Sequence, residues 1–314
     1  MKNPPNYSIV VPVYNSEGSL PLLRERLEKV FAAMGASWEL ILVNDYSRDG
    51  SWNVMRSLAA GDPRVKGVNL ANNFGQHNAL MCGFSYASGG YVVTIDDDLQ
   101  HPPEEVPKLI KAAKEGNYRV VYGQFSSERK YGWFRNIASN AINGVLSKIT
   151  GSGYKVTQFR VMEGKVARRL AEFPQYNVMI DVLIKDTVGA RDIGHCNVAH
   201  HERTIGKSGY SLKKLFGYAM NMIFSFTLWP LRLASTLGIF FSGVAVLIGL
   251  VFLGQFLFYG ISVEGWTTLI LTITLFFGIT LFVLGVIGEY LGRMFLNVNR
   301  KPQYVVKETL NAND

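Results

Sequence analysis

Three consecutive aspartates, Asp96, Asp97 and Asp98, end a β-branched run in the segment YVVTIDDDLQHPPEE that spans 91–105. Carboxylates gathered where an apolar strand stops put negative charge at the carboxyl edge of a sheet, the edge at which open α/β folds bind their ligands. Such a cluster calls for a cation. Side chains alternate along an extended chain, so Asp96 and Asp98 share one face, Asp97 takes the other, and Gln100 lies two residues further on. Magnesium uses one or two protein carboxylates and fills the rest of its shell with water and substrate phosphate oxygens. Asp96, Asp98 and Gln100 are therefore the candidate ligands for Mg2+ or Mn2+, and a diphosphate-bearing substrate would complete the shell. Pro102, Pro103, Glu104 and Glu105 also suit a first helical turn, where acids offset the helix dipole. The two readings are compatible.

Polar groups recur at two other strand ends. One run ends in Pro12-Val13-Tyr14-Asn15 and another in Asn44-Asp45-Tyr46-Ser47-Arg48-Asp49-Gly50. Side by side they form a crevice in which an acid suits the ribose hydroxyls or base edge of a nucleotide. Pro12, Tyr14, Asn15, Asp45 and Asp97 are the candidate nucleotide contacts. There is no Walker loop and no dinucleotide glycine fingerprint, so metal and side chains are left to hold the diphosphate.

The elements that must position these groups follow from pattern. YSIVVPV, ELILV, VKGVNL, YVVTI and RVVYG read as strands, with helical periodicity between them, which predicts a largely parallel sheet covered by helices. Leucines at helical spacing predict a helix over 19–33, and Trp133, Ile137, Ile142, Val145 and Ile149 predict another after Gly132. Within the 314 residues, 233–259 and 266–288 carry no charge. Each exceeds the roughly 20 apolar residues that span a bilayer as a helix. The segment 211–228 reads as a helix lying at the membrane interface, interrupted by Pro230.

The opening MKNPPNYS has no apolar signal segment, which predicts a cytoplasmic first domain. Lys213, Lys214 and Arg232 flank the first apolar stretch and Arg293, Arg300, Lys301 and Lys307 follow the second, while the link between them carries only Glu264. That bias puts both ends in the cytoplasm. Much of the net charge of +8 then faces anionic lipid, and no nucleic acid is needed to explain it. Cys82 and Cys196 match no metal spacing. On a strand, His195 and His200 point to opposite faces, which argues against a zinc site with His201.

PVYN, NDYSRDG, NFGQHNALMCGF, DDDLQHPPE, WFRNIASNAIN, HERTIGKSGYS and the tail GEYLGRMFLNVNRKPQYVV occur in that order. Together they resemble the polyprenyl-phosphate glycosyltransferases of glycosyltransferase family 2, and among these the bacterial undecaprenyl-phosphate sugar transferases with two spans. The resemblance covers nearly the whole chain. It implies a GT-A-like, Rossmann-like α/β domain over 1–210, a juxtamembrane amphipathic region over 211–231, two transmembrane helices over 232–291 and a cytoplasmic tail over 292–314, in an inner membrane of bacterial type. It implies inverting, metal-dependent transfer of a sugar from a nucleotide diphosphate, UDP being the expected carrier, to a polyprenyl phosphate. A homo-oligomer is compatible with it. Asp45 falls on the family's nucleotide-contacting acid, Asp96, Asp98 and Gln100 on its metal and donor motif, and Arg129, Arg135, Arg203 and Ser208 on positions near the donor and acceptor phosphates. Guanidinium groups suit such oxygens because they bind them bidentately and keep their charge.

Three positions depart from the family pattern. Tyr46 stands where many members have glycine. Gly209 replaces a lysine, with Lys207 nearby. Gln158 stands where relatives commonly have an aspartate proposed as catalytic base. An amide cannot take a proton, but a phosphate monoester has a second pKa near 6 and is largely an anion at neutral pH. The expectation is an acceptor that serves as its own nucleophile, with Gln158 orienting it at the catalytic centre. A processive polysaccharide synthase would share the nucleotide half, but it usually carries a QxxRW motif, and no tryptophan follows an arginine here. A non-catalytic nucleotide-sugar-binding membrane protein is the third reading, encouraged only by Gln158.

Overall fold

The computed structural model describes residues 4–125, 157–174, 179–199, 229–259, 265–299 and 301–312. Arg129, Arg135, Arg203 and Ser208, the helix expected after Gly132 and the interfacial segment 211–228 lie outside the described residues. The chain divides into two compact units, one of residues 1–209 with 302–314 and one of residues 210–301.

The first unit is built on an eight-stranded sheet. Its strands are β1 (Tyr7–Val13), β2 (Trp38–Asn44), β3 (Val65–Leu70), β4 (Tyr91–Thr94), β5 (Val120–Phe125), β6 (Arg160–Glu163), β7 (Ile193–Val198) and β8 (Val306–Leu310), in the order β7-β5-β6-β4-β1-β2-β3-β8. Strands β4, β1, β2 and β3 run parallel, as expected from their β-branched runs. The sheet is largely parallel, as expected: β5 and β7 run the same way as these four, and only β6, antiparallel to β4 and β5, and β8, antiparallel to β3, are reversed. β6 is held on both edges. Thr94 and Arg160 pair across the β4–β6 ladder, and Gly123 donates its N–H to the Phe159 carbonyl at 2.8 Å, so the strand is fixed from both sides.

The helices α1 (Leu20–Met34), α2 (Ser51–Gly61), α3 (Gln76–Ser85), α4 (Val106–Glu115), α5 (Gly164–Ala171) and α6 (Ile180–Thr187) cover the sheet. Strands buried on both faces read as continuous apolar runs. In β1, Ile9, Val11 and Val13 enter one core with Leu23, Leu27 and Phe31 of α1, while Val10 enters the other with Leu80 and Phe84 of α3. Each such aliphatic or aromatic side chain contributes roughly 1.5–3 kcal/mol by burial. Helix α1 starts with proline in its first turn and stops at Gly35, whose φ of 59° supplies the left-handed cap. Helix α3 lies close on β1 because it has glycine at position 83, where a Cβ would come within 2.3 Å of Val10 Cγ1. The proline-glutamate motif forms a short 3-10 turn, Pro103–Glu105, that leads into α4.

The second unit holds two long helices, α7 (Trp229–Tyr259) and α8 (Trp266–Val298). Pro230 lies near the start of the described part of α7, and the segment 211–228 that it was expected to interrupt lies outside the described residues. Both helices are long and apolar enough to cross a membrane, over Trp229–Ile248 and Leu275–Gly292. They meet through an edge-to-face contact of Phe241 and Phe276, and Phe258 stays 82% exposed.

Candidate active site

The carboxyl ends of β1, β2 and β4 converge on one edge of the sheet, and the acids singled out from the sequence lie on the loops that leave it. These loops are tied to one another. The Asn15 N–H donates to Ser47 Oγ at 3.0 Å, and the Arg48 N–H donates to Asn15 Oδ1 at 2.8 Å. Asp97 accepts the Tyr14 N–H at 3.0 Å and the Ser16 hydroxyl. It therefore turns toward the β1 loop. Pro12 lies buried within β1 across from Val43, whereas Tyr14 and Tyr46 are each about half exposed at the crevice.

Three residues here hold the left-handed backbone region that favours glycine: Asn15 at φ 54°, Tyr46 at 61° and Leu99 at 59°. Left-handed backbone costs an L-residue roughly 1–2 kcal/mol, and such strain gathers at functional sites. At position 46 glycine would hold this backbone without that cost.

Asp45 is buried and accepts the N–H groups of Phe74 at 2.7 Å and Gly75 at 2.9 Å, just ahead of α3. Burial raises its pKa, and these two N–H groups oppose the shift. The next residue of α3 serves the neighbouring acid, since Gln76 Nε2 donates to Asp96 Oδ1 at 2.7 Å. The other oxygen of Asp96 lies 3.4 Å from His101 Nδ1, and the His101 ring stacks on Phe159. Burial, then the charges of Asp98 and Asp97, push the Asp96 carboxyl up to about 7 against the pull of Arg160 and Gln76. A divalent cation at this place would relieve that repulsion. Asp98 Oδ1 accepts the Gln100 N–H at 3.1 Å, which folds the DDDLQ segment back on itself.

Among the described residues, no three His, Cys, Asp or Glu side chains form a metal cluster. Two carboxylates with an amide oxygen are an incomplete set of hard oxygen donors, which fits a magnesium or manganese ion that takes its remaining oxygens from water and a diphosphate.

Gln158 stands at the entry to β6. Its carbonyl accepts the Thr94 hydroxyl, and its side-chain Oε1 accepts Arg160 Nη2 at 2.7 Å. Arg160 is fully buried and paired with Asp181 of α6, which also accepts the Tyr122 hydroxyl at 3.2 Å. Sequence reasoning missed Gln76, His101, Arg160 and Asp181. A lone acid in the apolar run MIDVLI was the available signal for Asp181, because an acid buried there needs a partner.

A mixed α/β sheet with acids at the carboxyl ends of its parallel strands is the GT-A-like, Rossmann-like architecture of sugar transferases. Glucosyl-3-phosphoglycerate synthase from Mycobacterium tuberculosis shares the fold at TM-score 0.52 and 19% identity, over 70% of this chain and 78% of that one. The profile of Glycosyl transferase family 2 matches residues 8–171, and the chain belongs to that family. It is 36% identical to the undecaprenyl-phosphate 4-deoxy-4-formamido-L-arabinose transferase of Pectobacterium atrosepticum over 313 residues, 98% of this chain and 94% of the relative. It is also 36% identical to the uncharacterized glycosyltransferase YkcC of Bacillus subtilis over 305 residues, 96% of this chain and 94% of that one.

Proposed function

We propose that this chain transfers a single sugar from a nucleotide diphosphate to a membrane polyprenyl phosphate, with inversion at the anomeric carbon. One observation carries the reading. Asp45, Asp96 and Asp98 gather at the sheet edge of a chain that resembles an undecaprenyl-phosphate sugar transferase along nearly its full length, apolar helices included.

In this reading Asp45 and the loops of Tyr14 and Asn15 hold the nucleoside, and Asp97 braces those loops. Asp96, Asp98 and Gln100 would hold Mg2+ or Mn2+. When bound, the cation neutralises the diphosphate and eases its departure. An oxygen of the lipid phosphate attacks the anomeric carbon, the bond from that carbon to the nucleotide diphosphate breaks, and the lipid-phosphate sugar and nucleotide diphosphate are released. The acceptor needs no protein base, because its phosphate is already an anion at neutral pH. Position and relief of charge repulsion govern the rate, and Arg129, Arg135, Arg203 and Ser208 are assigned to the phosphates.

The helices α7 and α8 are assigned to two membrane crossings, with the sheet domain on the cytoplasmic side. Connectivity supports an even number of crossings. The sheet takes seven strands from before α7 and its eighth, β8, from after α8, so the chain must return to the side it left. The test is acceptor discrimination. Transfer to polyprenyl phosphate should far exceed transfer to the corresponding polyprenol, and equal rates on the two lipids would overturn the assignment.

A further inference from the structure

The buried Arg160–Asp181 pair does more than close the core beside α6. Arg160 is fully buried, and its guanidinium is shared among Asp181, the Thr94 hydroxyl and the side-chain oxygen of Gln158. A guanidinium can only donate hydrogen bonds, so the amide edge that meets it must be oxygen, whichever way an amide is drawn. The Gln158 nitrogen then has to point away from Arg160. Gln158 is half-buried, and among the described residues nothing accepts from its Nε2.

The end of the ladder places Gln158 itself. β4 and β6 pair Thr94 with Arg160, and the Thr94 hydroxyl donates to the Gln158 carbonyl, so Gln158 lies at the end of β4 from which the acids lead. An amide whose oxygen is taken by Arg160 is left with donors only and cannot be there to receive a proton. It suits a ligand that brings acceptor oxygens of its own.

We infer that Arg160, held by Asp181, locks the polarity of Gln158 so that its two N–H donors face the phosphate of the acceptor. Arg160 and Asp181 are thus positioning residues, and Gln158 is the group that touches substrate. The inference rests on the proposed transfer to a lipid phosphate. It accounts for an amide at this position: a carboxylate would bond to Arg160 equally well but would offer the incoming phosphate only negative oxygens.

The experiment is steady-state kinetics of the full chain, with polyprenyl phosphate and nucleotide sugar varied separately and thermal melting of each variant. Gln158→Met and Gln158→Glu keep the length of the side chain and remove its donors. Each should raise KM for polyprenyl phosphate about tenfold or more, with KM for the nucleotide sugar nearly unchanged. Arg160→Lys keeps a charge for Asp181 but loses the fork that reaches Gln158. If folded, it should raise the same KM, and adding Gln158→Met to it should cause little further change. Wild-type KM for polyprenyl phosphate in either Gln158 variant, or in a folded Arg160→Lys protein, would overturn the inference. So would a rise confined to the nucleotide sugar. If Arg160→Lys does not fold, the two Gln158 variants decide. A wild-type protein that ignores polyprenyl phosphate altogether would instead remove the functional reading on which the inference stands.

Discussion

Single residues at the crevice do distinct work despite adjacent positions. Asp97 is spent on the Tyr14 and Ser16 loop, while Asp98 accepts the Gln100 N–H within its own segment. Asp98→Ala should therefore leave the fold intact and abolish transfer. Calorimetric titration of the nucleotide sugar with manganese should show weakened binding, and an Asp98→Ala protein that transfers at the wild-type rate would remove Asp98 from the metal set. Tyr46 carries a different burden, a left-handed backbone under a half-exposed ring. Tyr46→Gly should stabilise the protein by about 1 kcal/mol, the relief of strain exceeding the added freedom of the unfolded chain. A lower melting temperature would mean that packing of the ring outweighs the strain. Much of this site was legible, because clustered acids after β-branched runs mark strand ends. The pair Arg160–Asp181 was not, since charged side chains are read as solvated unless the fold brings them together, and these are 21 residues apart in sequence.

At the scale of elements, the corner between α2 and β3 is fixed by charge. Asp62 binds Arg64 and Arg24 at 2.8 and 2.7 Å, and its side chain is only 8% exposed. Hydrogen bonds from Arg64 hold its carboxyl well below the usual range, against burial and with help from Arg24. A depressed pKa adds stability that is present above the ordinary carboxylate value and is lost as pH falls toward the depressed one. Because the arginines are partly exposed, the contribution is on the order of 1 kcal/mol. Melting curves should show Asp62→Asn less stable than wild type at pH 7, with the gap narrowing as the pH falls below about 4. A gap independent of pH would deny the ion pairs that role. The strands β1 to β5 were readable from their apolar runs. β6 was not, because Arg160–Glu163 is four residues long with a charge at each end. β8 escaped for a related reason: VKETL is too polar to announce a strand, and it gains its place from Glu308, which binds Trp52 and Arg56, and from Leu310 packed over Gly67.

Across the whole molecule, one chain combines a nucleotide-sugar fold with two helices long and apolar enough to cross a membrane, whose large apolar side chains are mostly exposed. A soluble acceptor gives no reason for that surface. A lipid acceptor does, because its phosphate must meet the acids of the sheet edge while its tail stays in the bilayer. The mass of the lipid product tests this account most directly. Purified full-length protein is incubated with polyprenyl phosphate, manganese and a panel of nucleotide sugars, and the lipid is analysed by mass spectrometry. The account predicts a lipid heavier by one sugar residue, formed from one donor of the panel and lost when a chelator is added. An unchanged lipid with every donor, or a lipid carrying a ladder of several sugars, would contradict it.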